Sequence, residues 1–272
     1  MKFIQISDTH LVGPGRDLFG INPAQRLTQC LEDILREQAD AEFVVITGDL
    51  SEDGTVASYR TLRSLLARFP IPVYLTLGNH DDRGNFRAVF PDASFDSNGF
   101  AQVAIAGSLA RVLLLDTSHG TRGVESGTLC RERLAWLDAQ LGEDPGTTVV
   151  IGLHHPPFAV GIEAIDRIAL ADSGALHDVI GRHSHVRHLF FGHVHRPLAG
   201  SWRGIPISVC YGTSYQSSLG LLSGSPKQRM RGPAEYAVFL INETDVVVHF
   251  QDFLYGYAAA ESRMEGAHVL DG

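Results

Sequence analysis

Cysteine is scarce in this chain: Cys30, Cys130 and Cys210 are the only three in 272 residues, and they form no C-x-x-C pair. So sparse and odd a set argues against a disulfide framework and a thiolate metal site, and it fits a reducing compartment. Long apolar runs are missing too; none approaches the roughly 20 residues that a membrane span requires. The opening MKFIQISDTH meets charge and polarity before a signal-peptide core could form. These absences predict a cytoplasmic protein without a membrane partner. Positive charge is also short. The 22 Lys and Arg face 31 Asp and Glu, a formal net charge of −9, and nowhere gather densely enough to follow a phosphate backbone. A nucleic acid polymer is therefore not an expected partner, and an anionic substrate would need positive charge from another source.

What the chain does have is histidine, 13 of them, the commonest metal ligand and the usual acid–base group. Their placement follows from the strands. KFIQIS (2–7), EFVVIT (42–47) and IPVYLTL (71–77) are apolar, β-rich runs. Between them, residues 22–39 and 55–69 carry helical periodicity, the first with Asn22 as N-cap, Pro23 at the first helical position, and Leu27, Leu31, Ile34 and Leu35 on one face. This β-α-β-α-β order predicts parallel strands and an α/β fold. Residues 101–107 and 111–117 read as an antiparallel pair, 131–142 as a helix and 147–153 as a strand. A polar loop over 156–173 and a helix near 174–183 precede a strand ending in LFFGHVHRP. IPISVC follows, then a Gly/Ser-rich stretch to Pro233 and a hairpin turning at Asn242–Asp245. The tail after Tyr257 is Ala-rich without a clear pattern.

Five strands end in polar residues: Asp8-Thr9-His10, Gly48-Asp49, Gly78-Asn79-His80-Asp81, His154-His155 and Gly192-His193-Val194-His195. Open α/β sheets bind ligands outside the carboxyl ends of their strands. Taken singly, Asp49 could cap a helix and Gly78-Asn79 could mark a turn. Jointly, Asp8, His10, Asp49, Asn79, His154, His193 and His195 are seven O and N donors without sulfur, which suits Zn, Mn, Fe or Co. One ion rarely takes seven ligands, whereas two ions sharing a bridging carboxylate do, and two-metal sites serve displacement at phosphorus. His154 and His155 point apart on extended backbone, so at most one of them is a ligand.

The ordered motifs ISDTHL, VVITGDL, LTLGNHDD, LHHPPF and FFGHVHRP resemble those of the calcineurin-like metallophosphoesterases. Among these the chain is most similar to bacterial class III cyclic-nucleotide phosphodiesterases and glycerophosphodiesterases. The resemblance implies a four-layer α/β/β/α sandwich with two mixed β-sheets, residues 1–215 forming the dinuclear core. Residues 216–272 would add strands and a cap or oligomerisation region to the same domain, and a homodimer or larger homo-oligomer is implied. It also implies two transition metal ions (Fe, Mn, Zn or Co): Asp8, His10 and His195 on the first, Asn79, His154 and His193 on the second, and Asp49 bridging. With Asp49 and Asn79, His80 would complete the catalytic set, contacting the phosphate and protonating the leaving oxygen. The chain departs from the family in having Glu52 three residues after the bridging Asp, where Asn or Asp is common; a longer carboxylate there bears on metal affinity.

The expected activity is hydrolysis of small phosphodiesters, 3′,5′-cyclic nucleotides or glycerophosphodiesters, by in-line attack of a metal-bridging hydroxide. The rivals are a phosphomonoesterase or nucleotide pyrophosphatase on the same site, a DNA nuclease, which the acidic charge opposes, and a non-catalytic interaction module, which would show ligand substitutions. His119, His177, His183, His185, His188 and His268 are expected to have no special task, although His119 could reach the rim. Asp116 is expected to order its loop or a histidine. PKQRMR (226–231) reads as a solvated loop or as a neutraliser of a distal phosphate.

Overall fold

Successive residues of a strand point to opposite faces, and in this chain both faces are buried. In β1 (Lys2–Ile6), Ile4 and Ile6 join one apolar cluster and Phe3 another; β2 (Phe43–Thr47) repeats the split, Val44 and Ile46 against Phe43 and Val45. The cluster of Phe3 also takes Val112 and Leu114 of β5 (Ala110–Leu114), Val150 of β6 (Thr148–Leu153) and Phe190 of β7 (Val186–Phe191). It is the seam between two sheets, and the Phe3 ring stacks 5.3 Å from Phe43 and 4.5 Å from Phe239. Burial on both sides explains the unbroken apolar runs in the sequence.

The structure is a computed structural model and describes residues 1–226 and 228–254. The first sheet runs β13 (Val246–Asp252), β12 (Glu235–Ile241), β1, β2, β3 (Val73–Thr76), with β1, β2 and β3 parallel and the other two pairs antiparallel. The second runs β4 (Val103–Ala106), β5, β6, β7, β9 (Ile205–Val209), β8 (Leu198–Trp202), parallel at the centre and antiparallel at both edges. Helices α1 (Pro23–Glu37), α2 (Val56–Leu66) and α3 (Arg83–Val89) pack Leu27, Tyr59, Leu62 and Phe86 onto the first sheet. Helices α4 (Arg131–Glu143) and α6 (Ser173–Ile180) pack Leu137, Leu141, Leu176 and Val179 onto the second. This is the expected α/β/β/α sandwich.

The local signals account for much of it. Asn22 accepts the Gln25 N–H at 3.0 Å and so starts α1, and Thr55 caps α2 in the same way. Leu35 is a correction: it is 38% exposed, because eight residues on from Leu27 carries it to the edge of the buried stripe. Helix α3 and edge strand β8 carry no distinct sequence signal and are additions. The loop expected over 156–173 contains one helical turn, α5 (Glu163–Asp166). Short strands β10 (Gln216–Ser217) and β11 (Arg229–Met230) pair within the Gly/Ser-rich stretch. The hairpin turns where predicted, with Asn242 Oδ1 accepting the Thr244 and Asp245 N–H groups. Since β12 pairs with β1, residues 235–252 belong to the first sheet of the sandwich. Lys227, the tail after Tyr257 and His268 lie outside the described residues.

Candidate metal centre

The carboxyl ends of β1, β2, β3, β6 and β7 bring the seven predicted donors to one rim. All seven are buried, Asn79 being the most exposed at 8%. Five have left-handed backbone: Asp8 (φ 53°), His10 (43°), Asp49 (48°), His193 (67°) and His195 (54°). A side chain costs roughly 1–3 kcal/mol in that region, less for Asp and His than for branched residues. Strain so concentrated marks the rim as the functional part of the fold. Gly192 has ordinary φ; it permits close approach, because a Cβ there would collide with the Ser7 hydroxyl and sit 2.9 Å from Asp8 Oδ2. At Gly78 a Cβ would collide with the Asp49 carboxylate and come within 2.7 Å of His154 Nε2.

The donors fall into two overlapping groups. His10 Nε2 lies 3.0 Å from His195 Nε2, and Asp8 Oδ1 is 3.4 Å from His195 Nε2. In the other group Asn79 Oδ1 is 3.2 Å from His154 Nε2 and 3.0 Å from His193 Nδ1. Asp49 stands between them, its Oδ2 3.4 Å from His10 Nε2 and 3.4 Å from His154 Nε2. Its Oδ1 accepts the His80 N–H at 2.9 Å. The capping role weighed for Asp49 goes to Thr55 instead. Neighbouring loops are tied by Asp81, which accepts the Leu50, Ser51 and Gly78 N–H groups and the Tyr59 hydroxyl.

Chemistry of the donor set tests whether a cation fits. His154 Nδ1 is 2.8 Å from the Thr47 carbonyl oxygen and His195 Nδ1 is 2.6 Å from that of Tyr215. Carbonyl oxygens only accept, so both Nδ1 atoms carry the hydrogen and the neutral rings turn bare Nε2 lone pairs inward. His10 Nδ1 likewise faces Glu52 Oε2 at 2.7 Å. Inward lone pairs beside two buried carboxylates are a cation-ligating arrangement, and the electrostatics agree. Burial pushes the His154 imidazole down, but the Asp49 and Asp8 carboxylates overcome it and raise it to about 9, so the site draws positive charge to Nε2, either a proton or the ion that displaces it. Burial pushes Asp49 up, and His154, His80 and His10 bring it well below the usual carboxylate range. The residues fit metal ions.

His155 lies close enough to His154 and His193 to share a cation with them. Both its nitrogens have protein partners, however: Thr117 Oγ1 at 2.8 Å and the Glu125 carbonyl at 3.1 Å. Asp116 orders its loop, accepting from Arg83 and from the Ala101 and Ser118 N–H groups, and binds no histidine. His119 is exposed. At the rim opens a cavity of about 340 Å³, lined by the donors Asp49, Asn79, His193 and His195, by His80, and by Glu125, Arg167, Ile168, Tyr215 and Arg229. Sequence reasoning missed Tyr215, although it stands past the carboxyl end of β9 and the strand-end rule applied there would have found it. Arg229 lies in the basic stretch 226–231, where a contact with substrate was one of two readings.

Comparison with known proteins agrees with this geometry. The family model described as calcineurin-like phosphoesterase matches residues 1–197. A protein of Rhodopseudomonas palustris named "Probable cyclic nucleotide phosphodiesterase" is 37% identical over 256 residues, 94% of this chain and 93% of that protein. A "Probable glycerophosphodiester phosphodiesterase" of Arcobacter nitrofigilis is 31% identical, with 81% of each chain covered. The 3′,5′-cyclic adenosine monophosphate phosphodiesterase of Escherichia coli is 31% identical, covering 75% of this chain and 73% of its own. Among solved structures, a dimetal phosphatase from Danio rerio shares the fold with a TM-score of 0.69 at 17% identity, over 93% of this chain and 96% of that one. A matched model spanning residues 1–197, joined to relatives above 30% identity over most of their length, makes this chain a member of the calcineurin-like phosphoesterase family.

Proposed function

We propose that the protein hydrolyses small phosphodiesters, 3′,5′-cyclic nucleotides or glycerophosphodiesters, on a two-metal site. The observation that carries this reading is Asp49 Oδ2, equidistant at 3.4 Å from an imidazole of each donor group. Asp8, His10 and His195 would hold one ion, Asn79, His154 and His193 the other, and Asp49 both; the borderline O/N donor set suits Fe, Mn, Zn or Co. When bound, such a pair supplies Lewis acidity, lowering the pKa of water and offsetting charge at phosphorus.

The chain's own residues do the rest. Glu52, Tyr215 and Thr47 fix the tautomers of His10, His195 and His154 through their Nδ1 atoms. His80 lines the cavity, and its Nδ1 donates to the Glu52 carbonyl at 3.0 Å, so a proton given to the leaving oxygen would depart from Nε2. The substituents of the phosphodiester would lie against Tyr215, Arg229, Arg167 and Ile168 of the cavity lining. A homodimer or larger assembly with residues 216–272 as its contact region belongs to the same proposal, checked by light scattering of the full chain against a form ending at residue 254.

Turnover of bis-(p-nitrophenyl) phosphate against p-nitrophenyl phosphate, after Mn²⁺ loading, tests the activity. Diester preference is the expected result. A strong monoester preference would replace this reading with that of a phosphomonoesterase. Fewer than one ion per chain after Mn²⁺ or Zn²⁺ reloading would favour a non-catalytic module.

A further inference from the structure

Arg229 has a distinctive setting. Its guanidinium lies 4.5 Å from the Phe19 ring centroid and 5.6 Å from that of Tyr215, and Phe19 meets Tyr215 edge-on at 5.1 Å. Phe19 is held at φ 53°, a strained conformation for a bulky side chain. The residue after β11 also meets this region: the Arg26 guanidinium of α1 donates to the Arg231 carbonyl at 2.6 Å, and the Arg231 guanidinium lies against Gly20, where a Cβ would meet it at 2.5 Å. Stacking leaves the edge of a guanidinium available for planar hydrogen bonds.

The charges of the cavity make that edge decisive. Apart from Asp49 and the histidines, the charged residues lining the cavity are Arg167, Glu125 and Arg229. Arg167 pairs with Glu163 at 2.7 Å, which leaves Glu125 and Arg229, of opposite sign, as the other two. No carboxylate of the described residues pairs with Arg229. It is therefore the cation left to meet whatever hangs from the phosphorus.

We propose that Arg229 is a specificity-determining residue, selecting phosphodiesters whose substituent presents hydrogen-bond acceptors, as a nucleoside does, over those that present a fixed cation, as a choline ester does. This rests on the diesterase reading and deepens it, because it ranks the two substrate classes left open above. The stacked guanidinium binds the acceptor edge of a nucleobase and repels a quaternary ammonium. A unit charge opposed at such range in a half-solvated cavity is worth about tenfold in affinity.

The test compares wild type with Arg229→Gln and Arg229→Lys, all loaded with Mn²⁺. Calorimetry gives the Kd ratio for adenosine 5′-monophosphate against phosphocholine, and kinetics gives the kcat/KM ratio for 3′,5′-cyclic AMP against glycerophosphocholine. Arg229→Gln is expected to reduce the nucleotide preference in both ratios by about tenfold, and Arg229→Lys, which keeps the charge but not the planar edge, to fall between Gln and wild type. An unchanged ratio in Arg229→Gln overturns the proposal, as does equal weakening of both ligands or a Lys variant that behaves like Gln. A protein that turns over no diester while its binding ratio still shifts refutes the diesterase reading and leaves the selectivity of Arg229 standing.

Discussion

Tyr215 is joined to His195 twice: its carbonyl oxygen accepts from Nδ1 at 2.6 Å, and its ring stacks on the imidazole with centroids 4.4 Å apart and 20° between planes. The same ring lies 4.9 Å from that of His10. One residue thus orients two imidazoles of the first donor group. Tyr215→Leu keeps the carbonyl and removes the stack, so metal affinity measured by chelator competition is expected to fall about tenfold. Tyr215→Phe should match wild type, since the ring is what stacks. Equal losses in the two variants would move the effect to the hydroxyl.

Glu52 answers the one departure noted in the sequence. Its longer side chain reaches His10 Nδ1 at 2.7 Å from a loop three residues past Asp49. Glu52→Gln retains an acceptor but loses the charge that makes the ring a better donor. Metal affinity is expected to drop about 10- to 100-fold with folding little affected. Wild-type affinity in that variant would show that the contact is incidental.

Replacing Asn79 with Ala removes the oxygen that both His154 and His193 face. Elemental analysis should then find about one ion per chain in place of two, and diester hydrolysis should fall by at least about a hundredfold. Thermal stability of the chelated protein should change little, because the side chain sits at the rim and not in a cluster of the core. Activity that persists with two ions bound would disprove the ligand assignment.

His80→Ala separates proton donation from charge stabilisation. Alkoxide leaving groups need a proton, and p-nitrophenolate does not. The variant is expected to lose about 10²- to 10⁴-fold on a cyclic nucleotide and far less on bis-(p-nitrophenyl) phosphate. Parallel losses on the two substrates would leave His80 without an acid role.

His188 offers a pH test remote from the metal ligands. It is buried in β7, hydrogen-bonded to Ser208 Oγ at 2.8 Å, and burial pushes its pKa down to about 4. Above about pH 6.5 both folded and unfolded forms are neutral, and the contribution is complete. As pH falls from about 6.5 toward 4 the unfolded chain takes the proton first, so stability declines, by up to about 3 kcal/mol. Urea melts of His188→Leu should show a shallower decline over that window; an identical slope would refute it.

The sequence was most legible where chemistry and periodicity coincide. ISDTHL and GHVH announce themselves because polar residues interrupt buried strands, and α1 is announced by Asn22-Pro23. Helix α3 was hidden because its seven residues span two turns, too few to show a period. The rest of the cavity lining was hidden for another reason. Glu125, Arg167, Tyr215 and Arg229 come from separate segments of the chain, and only the closed fold brings them together. The spacing of His193 and His195 did not show that φ on each histidine, with Gly192 only making room, turns the chain there.

The left-handed backbone at Asp8, His10, Asp49, His193 and His195 sets the comfort of the main chain against the demand for a ligand at the same five positions. Glycine at any of them would relax the main chain, yet it would delete a donor and, at Asp8 or Asp49, strand a backbone N–H group that the carboxylate accepts.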